Sequence, residues 1–153
     1  NNFPVCKTVA TELVEVEPGG MREIHWPTNA DEFQYYISGE ARMSVFMPGP
    51  KARTFDYRAG DVGYVPVGGF HYIQNTGKEK LVYLEWFKSD HYSDISLAQW
   101  LAMTPNEVVK SCLNLPDDFI SSISKADTPV VKYPGYEFPP AQGTPQNYSR
   151  FVH

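Results

Sequence analysis

The first ninety residues divide into short segments of strand-like sequence, with a turn signal at almost every gap between them. Alternating or β-branched and aromatic segments of this length are typical of strands. They cover residues 11–17, 21–26, 32–38, 40–47, 51–57, 62–66, 71–75 and 80–88. Glycine and proline occupy most gaps, as in Pro18-Gly19-Gly20 and Pro48-Gly49-Pro50. About eight short strands at regular spacing predict a closed sandwich or barrel, and therefore an all-β fold.

The pattern changes to helix signals after residue 90. Ser96 followed by Gln99 forms a capping box ahead of an apolar run. Thr104 with Glu107 forms a second such box, in which Pro105 would take the first helical position. A third helix is expected to begin at residues 116–118 and to run through residue 123. The last 28 residues carry five prolines and little periodicity, which predicts an extended tail.

The expected organisation is one domain, since 153 residues allow a sizeable core. It divides into an N-terminal arm (1–10), a barrel (11–89), a helical extension (90–125) and a proline-rich extended tail (126–153). The helices need an apolar surface to cover, either on their own barrel or on a neighbour's. Without an initiator methionine or a signal peptide, the sequence is expected to be that of a mature, processed or trimmed chain.

Composition excludes several classes of function. A net charge of -5 without a basic cluster argues against nucleic acid as a partner. No apolar run approaches the roughly 20 residues that span a bilayer. Cys6 and Cys112 lack CxxC spacing, which disfavours a zinc site but leaves open free thiols or a disulfide. Asn147-Tyr148-Ser149 is a glycosylation sequon, and a secreted or vesicular location is expected in preference to the cytoplasm.

Two histidines and one carboxylate are candidates for a metal site. His25 lies in one predicted strand, Glu32 begins the next, and His71 follows a Pro-x-Gly turn. Strands that are distant in sequence converge inside a barrel, where alternate residues face the interior. A divalent metal such as Mn(II) or Fe(II) accepts two imidazoles and one carboxylate. A lone histidine is more often a surface or hydrogen-bonded core residue, so the interpretation depends on the three side chains coming together.

Two longer patterns carry a family resemblance. The stretches Gly19-x5-His25-x-Pro27-x4-Glu32-x6-Gly39 and Gly60-x5-Pro66-x-Gly68-x2-His71-x3-Asn75 resemble the two cupin motifs, except at position 27. More narrowly, the chain resembles the carboxy-terminal cupin domain of oxalate decarboxylases over roughly residues 3–115. The segments that carry this resemblance are 21–26, 30–32, 34–39, 60–66, 90–92 and 99–103.

The resemblance implies a cupin jelly-roll β-barrel with a C-terminal helical segment and an extended arm. Oxalate decarboxylases are bicupins: each chain has two barrels, and each barrel holds Mn(II) with three histidines and one glutamate. They convert oxalate to formate and carbon dioxide, with dioxygen as a cofactor. By resemblance, the metal ligands here would be His25, Glu32 and His71. Mn(II) is the expected metal, with Fe or Zn not excluded.

The same resemblance implies catalytic roles for three further residues. Arg22 matches the arginine that holds the oxalate carboxylate, a task that suits its planar, bidentate guanidinium. Glu85 matches a carboxylate proposed to move protons, and Tyr92 matches a tyrosine close to the site. The alternatives are structural roles: a surface ion pair for Arg22 and an outward-facing strand carboxylate for Glu85.

The chain departs from the family in two respects. Position 27, where the family has its second ligand histidine, is Pro27, which offers no donor atom and removes a ladder hydrogen bond. The chain also has room for one cupin, and the lid that closes over the substrate in the family belongs to the other domain. A homo-oligomer, or a pairing with a second cupin domain, is therefore expected.

These considerations predict an oxalate decarboxylase-type enzyme, a carbon–carbon lyase, with a weakened and Mn-dependent metal site. The alternative is a non-catalytic cupin, acting as a structural or oligomerisation domain or as a binder of oxalate or another small carboxylate. A storage-type barrel is a third hypothesis, in which Arg22 and Glu85 would have no functional role.

Overall fold

The structure is a computed structural model that describes residues 7–49, 51–123, 126 and 128–132. Within these residues the chain forms ten strands and three helices. The strands are β1 (Ala10–Val16), β2 (Gly20–Pro27), β3 (Glu32–Ser38), β4 (Glu40–Met47), β5 (Lys51–Arg58), β6 (Val62–Val65), β7 (Phe70–Asn75), β8 (Leu81–Phe87), β9 (Asp94–Ser96) and β10 (Val130–Lys132). The helices are α1 (Leu97–Met103), α2 (Asn106–Leu113) and α3 (Asp117–Ser122).

The strands form two antiparallel sheets. One sheet has the order β1-β8-β3-β6, and the other has the order β10-β2-β7-β4-β5, with β9 also paired to β2. Strict alternation of buried and half-buried residues along β8 shows one face turned to the interior. The core draws on both sheets, with Tyr36, Leu81 and Tyr83 from the first and Met43 and Ile73 from the second. The predicted all-β fold is confirmed.

Two residues of the motifs fix turns at the end of the barrel away from the histidines. Gly39 joins β3 to β4 at φ +81°, and a Cβ there would lie 2.8 Å from the Cα of Leu81. Asn75 donates its amide to the carbonyls of Val16 and Glu79, both at 2.8 Å. Both residues are thus explained by backbone geometry rather than by chemistry.

The helices follow the predictions with one correction. Ser96 and Gln99 form the predicted capping box at the start of α1. The second predicted capping box is wrong, because the Thr104 hydroxyl donates to the Trp100 carbonyl at 2.7 Å and so completes the end of α1. Pro105 precedes α2 rather than opening it. None of the described helices is long and apolar enough to cross a membrane.

Part of the predicted tail lies on the barrel. Val130–Lys132 pairs with β2 as an additional strand, with Val130 opposite Arg22. This strand and β9 were missed by the sequence prediction. Residues 1–6 with Cys6, and residues 133–153 with the sequon and His153, lie outside the described residues. Cys112 is a free, exposed thiol.

Candidate metal centre

The structure brings His25, Glu32 and His71 together inside the barrel. They lie on β2, β3 and β7, and none of the three is exposed to solvent. Their candidate ligand atoms all lie within 4.8 Å of one another. His25 and His71 are direct cross-strand partners, with ring centroids 4.1 Å apart. The topology thus converges the three side chains that were singled out from the sequence.

Backbone carbonyls set the tautomer of both histidines. Nδ1 of His25 lies 2.7 Å from the Glu23 carbonyl, and Nδ1 of His71 lies 3.1 Å from the Gly69 carbonyl. Because a carbonyl only accepts, each Nδ1 carries a hydrogen, and Nε2 is the nitrogen of each ring that can offer a lone pair to a metal. Neither Nε2 atom has a hydrogen-bond partner in the described part of the chain.

The facing donor atoms fit a divalent cation. Nε2 of His71 lies 3.3 Å from Oε2 of Glu32, which also lacks a hydrogen-bond partner among the described residues. A lone pair and a carboxylate oxygen at this distance repel each other unless a proton or a cation lies between them. Nitrogen and oxygen donors of this kind suit Mn, Fe or Zn.

The electrostatic environment favours the ligand form of two of these residues. Burial lowers the pKa of His25, and the nearby His71 and Arg22 lower it further, so the imidazole is neutral. Burial acts to raise the pKa of Glu32, but His71, His25 and a hydrogen bond from Gln34 outweigh it and leave the pKa lowered. A neutral imidazole and an ionised carboxylate are the forms that bind metals.

A β-bulge places Arg22 on the same side as His25. In a regular strand, residues three apart face opposite sides of the sheet. Here Arg22 pairs with Ile73 and His25 pairs with His71. Between these two pairs, β2 therefore contains one residue more than β7. The extra residue re-aims the strand, and both side chains become buried.

Arg22 is held by partners from β9, from the loop before β9 and from the residue before β10. Its Nη2 donates to Asp94 at 2.6 Å and to the hydroxyl of Tyr92 at 2.9 Å, and Nη1 donates to the Pro129 carbonyl at 3.3 Å. Burial acts to lower the pKa of Arg22, but Tyr92, Glu85 and Asp94 raise it more, so the cation is kept. Its Nε has no hydrogen-bond partner among the described residues, so that N–H remains available to a ligand.

Glu85 lies fully buried on β8, opposite Gln34 of β3. Neither carboxyl oxygen has a hydrogen-bond partner in the described part of the chain. Burial, and then the negative charge of Glu32, raise the pKa of Glu85 well above its usual value. The group therefore holds a proton close to the three candidate ligands.

Two acidic residues near the site were missed by the sequence analysis. Asp94 pairs with Arg22, and Glu12 lies opposite Glu85 across the β1–β8 pair. Burial raises the pKa of Glu12, although Arg22 opposes the shift. Asp94 begins the three-residue strand β9, whose sequence has no periodicity to mark it. The strand alternation that predicted β1 could have placed Glu12 on the same face as the buried Val14 and Val16.

Pro27 lies on the same buried face of β2 as His25, with half-buried Trp26 between them. Its carbonyl accepts a hydrogen bond from the amide of Gly68 at 2.9 Å, which ties the end of β2 to the turn before His71. The backbone of position 27 thus supports the site, while the side chain supplies no donor atom.

Comparison with known proteins places this arrangement in a family. The family model for cupins matches residues 1–119. The chain belongs to the cupin family. It is 59% identical to oxalate decarboxylase OxdC of Bacillus subtilis over 131 residues, which cover 86% of this chain and 34% of that protein. A probable oxalate decarboxylase of Arthroderma benhamiae is 47% identical, covering 85% of this chain and 32% of that protein.

Solved structures show the same likeness. The structure of the B. subtilis enzyme at pH 4.6 superposes with a TM-score of 0.83 at 59% identity, covering 86% of this cupin and 34% of that chain. A second structure, from a study of the Mn(II) centres of the B. subtilis enzyme, gives a TM-score of 0.84 at 58% identity, with 86% and 35% covered. The predicted resemblance to oxalate decarboxylases is confirmed, and the cupin spans about one third of the relatives it matches.

Proposed function

We propose that this cupin is of the oxalate decarboxylase type, converting oxalate to formate and carbon dioxide with Mn(II) held by His25, Glu32 and His71. The observation that carries the proposal is the convergence of three donor atoms within 4.8 Å in a fully buried position. Two of its similar relatives are named oxalate decarboxylase and probable oxalate decarboxylase, and a study of one of them concerns its Mn(II) centres.

In this proposal, the metal and Arg22 have different roles in binding oxalate. Mn(II), when bound, would supply positive charge for oxalate and redox chemistry with dioxygen. Arg22 would direct its uncommitted Nε at one carboxylate of the substrate, while Asp94 and Tyr92 fix the guanidinium in place. A guanidinium that is already oriented loses little conformational freedom when it binds an anion.

Glu85 would supply the proton that decarboxylation requires. Loss of carbon dioxide breaks the carbon–carbon bond of oxalate, and formate is completed when a proton bonds to the remaining carbon. Because burial and the charge of Glu32 raise its pKa well above the usual value, Glu85 keeps such a proton above the pH at which an ordinary glutamate releases it. Replacement of Glu85 by glutamine should therefore remove formate production from the metal-loaded protein.

Pro27 weakens the proposed metal site. Two histidines and one carboxylate still bind divalent metals, but with one ligand fewer than the family's four. We expect partial occupancy, or ready loss of the metal on dialysis. Pro27 is also the observation that favours the second candidate function, a non-catalytic cupin that serves as a structural or oligomerisation domain or binds a small carboxylate beside Arg22.

One experiment separates these functions. Metal is measured by mass spectrometry in protein purified without added metal, and formate released from ¹³C-oxalate at mildly acidic pH is followed by NMR. A weakened enzyme would show low metal and slow formate release, and Pro27→His would raise both. Stoichiometric, tightly held metal in the parent protein would contradict the weakened site. If neither the parent protein nor Pro27→His releases formate when loaded with manganese, the enzyme hypothesis is wrong and the non-catalytic cupin is the supported function.

We also propose that two copies of the cupin associate through the outer face of the sheet β1-β8-β3-β6. Apolar side chains there are about half exposed, namely Leu13, Phe33, Tyr35, Ile37, Val62 and Tyr64. Phe33 lies opposite Tyr64 and Tyr35 lies opposite Val62, so these side chains adjoin one another on one face, and an exposed apolar patch of this kind is typical of a protein interface. Sedimentation should show a dimer that Tyr35→Glu dissociates and that Tyr72→Glu, on the other sheet, leaves intact. A monomeric parent protein would instead favour a second cupin domain as the partner.

A secreted or vesicular location is our proposal from the sequon at residues 147–149. Protein from its native source should lose mass on treatment with an N-glycosidase. An unchanged mass would contradict this location as argued from the sequon.

A further inference from the structure

Three polar side chains form a hydrogen-bonded line inside the barrel. Glu32, Gln34 and Tyr36 occupy alternate positions of β3, so all three face the interior, and none is exposed. The Tyr36 hydroxyl donates to Oε1 of Gln34 at 2.8 Å. Nε2 of Gln34 then donates to Oε1 of Glu32 at 2.6 Å. The line therefore ends on a candidate metal ligand.

The donor and acceptor types of these three side chains allow their hydrogen bonds to run in one direction, from Tyr36 through Gln34 to Glu32. An amide oxygen only accepts and an amide nitrogen only donates, so Gln34 satisfies a hydroxyl and a carboxylate in a single orientation. Tyr36 is fixed in turn, because its ring stacks on Tyr57 at 4.5 Å and on Tyr83 at 5.3 Å. Burial raises the pKa of Tyr36, which keeps the hydroxyl a donor. Oε1 of Glu32 is thereby engaged, and Oε2 is the oxygen left beside His71.

A glycine makes room for the central amide. Gly63 of β6 lies directly opposite Gln34, and a Cβ at position 63 would stand 2.5 Å from Oε1 of Gln34. The φ angle of Gly63 is not in the left-handed region, so the backbone does not require glycine there. The atom in closest approach is the end of a flexible side chain, and the Cβ of Gln34 follows at 3.2 Å. Alanine at position 63 would therefore displace the amide, at the cost of a shift of a few tenths of an ångström between the two strands.

We propose that Gly63, Gln34 and Tyr36 form a positioning unit that turns the Glu32 carboxylate so that Oε2 alone faces the metal. The inference rests on the metal site of the proposed function and adds residues outside its ligand set. Loss of an outer contact to a ligand typically weakens metal binding 10–100-fold. Gln34 would act through Glu32 and does not itself contact substrate or metal.

Mn(II) affinity, followed by electron paramagnetic resonance, tests the unit in the full chain. Gln34→Met keeps the shape of the side chain but removes both hydrogen bonds, and it should weaken binding about 10–100-fold. Gly63→Ala should have a similar effect alone and no further effect in a Gln34→Ala background. Gly77→Ala is the control, because a Cβ there meets atoms no closer than 3.4 Å. If Gln34→Met lowers only stability, Gln34 is a packing residue and the proposal is overturned.

A metal-free measurement separates failure of this unit from failure of the proposed function. The side-chain amide protons of Gln34, observed by ¹⁵N NMR, should exchange slowly and should shift in Tyr36→Phe. If the amide protons behave in this way while neither the parent protein nor Pro27→His binds Mn(II), the proposed metal function is wrong. The proposed orientation of the Glu32 carboxylate is then still supported. If the amide protons exchange freely in a protein that binds Mn(II), the positioning unit fails and the metal site stands.

Discussion

Replacement of Glu85 by glutamine should stabilise the metal-free protein at neutral pH and have little effect in acid. The carboxyl group is fully buried without a hydrogen-bond partner among the described residues. Burial and the charge of Glu32 raise its pKa, so the folded protein keeps a proton that the unfolded chain releases near the ordinary pKa of glutamate. Glutamine has a similar shape and carries no proton to lose.

The size of the effect follows from proton linkage. Where the folded state binds one proton more than the unfolded state, the free energy of unfolding falls by up to about 1.4 kcal/mol per pH unit. The fall begins above the unfolded pKa of about 4.3 and ends where the folded Glu85 ionises. The lowered pKa of His25 acts in the opposite direction, since it makes stability rise with pH up to the unfolded histidine pKa. Parent protein and variant share His25, so their difference isolates Glu85.

Urea unfolding followed by tryptophan fluorescence, in the presence of EDTA, measures this difference from about pH 5 to about pH 8. The gain from Glu85→Gln should increase with pH at a slope of up to about 1.4 kcal/mol per unit. Glu79→Gln, on an exposed turn, is the matched control and should show no such slope. A gain that is constant across the pH range, or a loss that grows with pH, would refute the assignment of a buried, protonated carboxyl group.

Other substitutions test the supports of the site and the fold. Asp94→Asn removes the charged partner of Arg22 and should lower stability by about 2–3 kcal/mol in urea unfolding and raise the KM for oxalate more than it lowers kcat. Ser96→Ala removes the capping box of α1 and should cost about 1 kcal/mol in the same assay. Gly39→Ala, at positive φ and against backbone, should destabilise by more than about 2 kcal/mol, and clearly more than Gly60→Ala, which has positive φ and open space.

The eight longer strands were predictable because their signals are local. Alternation and turn residues within each segment define a strand before any partner is known. The three-residue strands β9 and β10 lack that information, since each is a strand because it pairs with β2. Thr104 shows the same limit in a helix: the pattern that begins one helix also fits a hydroxyl that closes the preceding one.

The candidate ligands were predictable from residue type and spacing, but the placement of Arg22 was not. Simple alternation puts Arg22 and His25 on opposite faces of the strand, and only the bulge between them reverses this. A bulge is a property of the β2–β7 pair, so one strand's sequence does not reveal it. Gln34 was accessible in principle, because it stands two residues from Glu32 on a predicted strand and must share its face.

The polar interior bears on the choice between an active site and an inert barrel. His25, Glu32, His71 and Glu85 are fully buried, and in the described structure each presents at least one polar atom without a hydrogen bond. Each such atom costs about 1–3 kcal/mol, so apolar residues in these positions would make a more stable structural domain. A metal that binds the folded state offsets part of this cost as its concentration rises above its dissociation constant. Manganese should therefore raise the midpoint of unfolding of this cupin, and Pro27→His should shift that rise to lower manganese concentrations. A purely structural barrel would show neither effect.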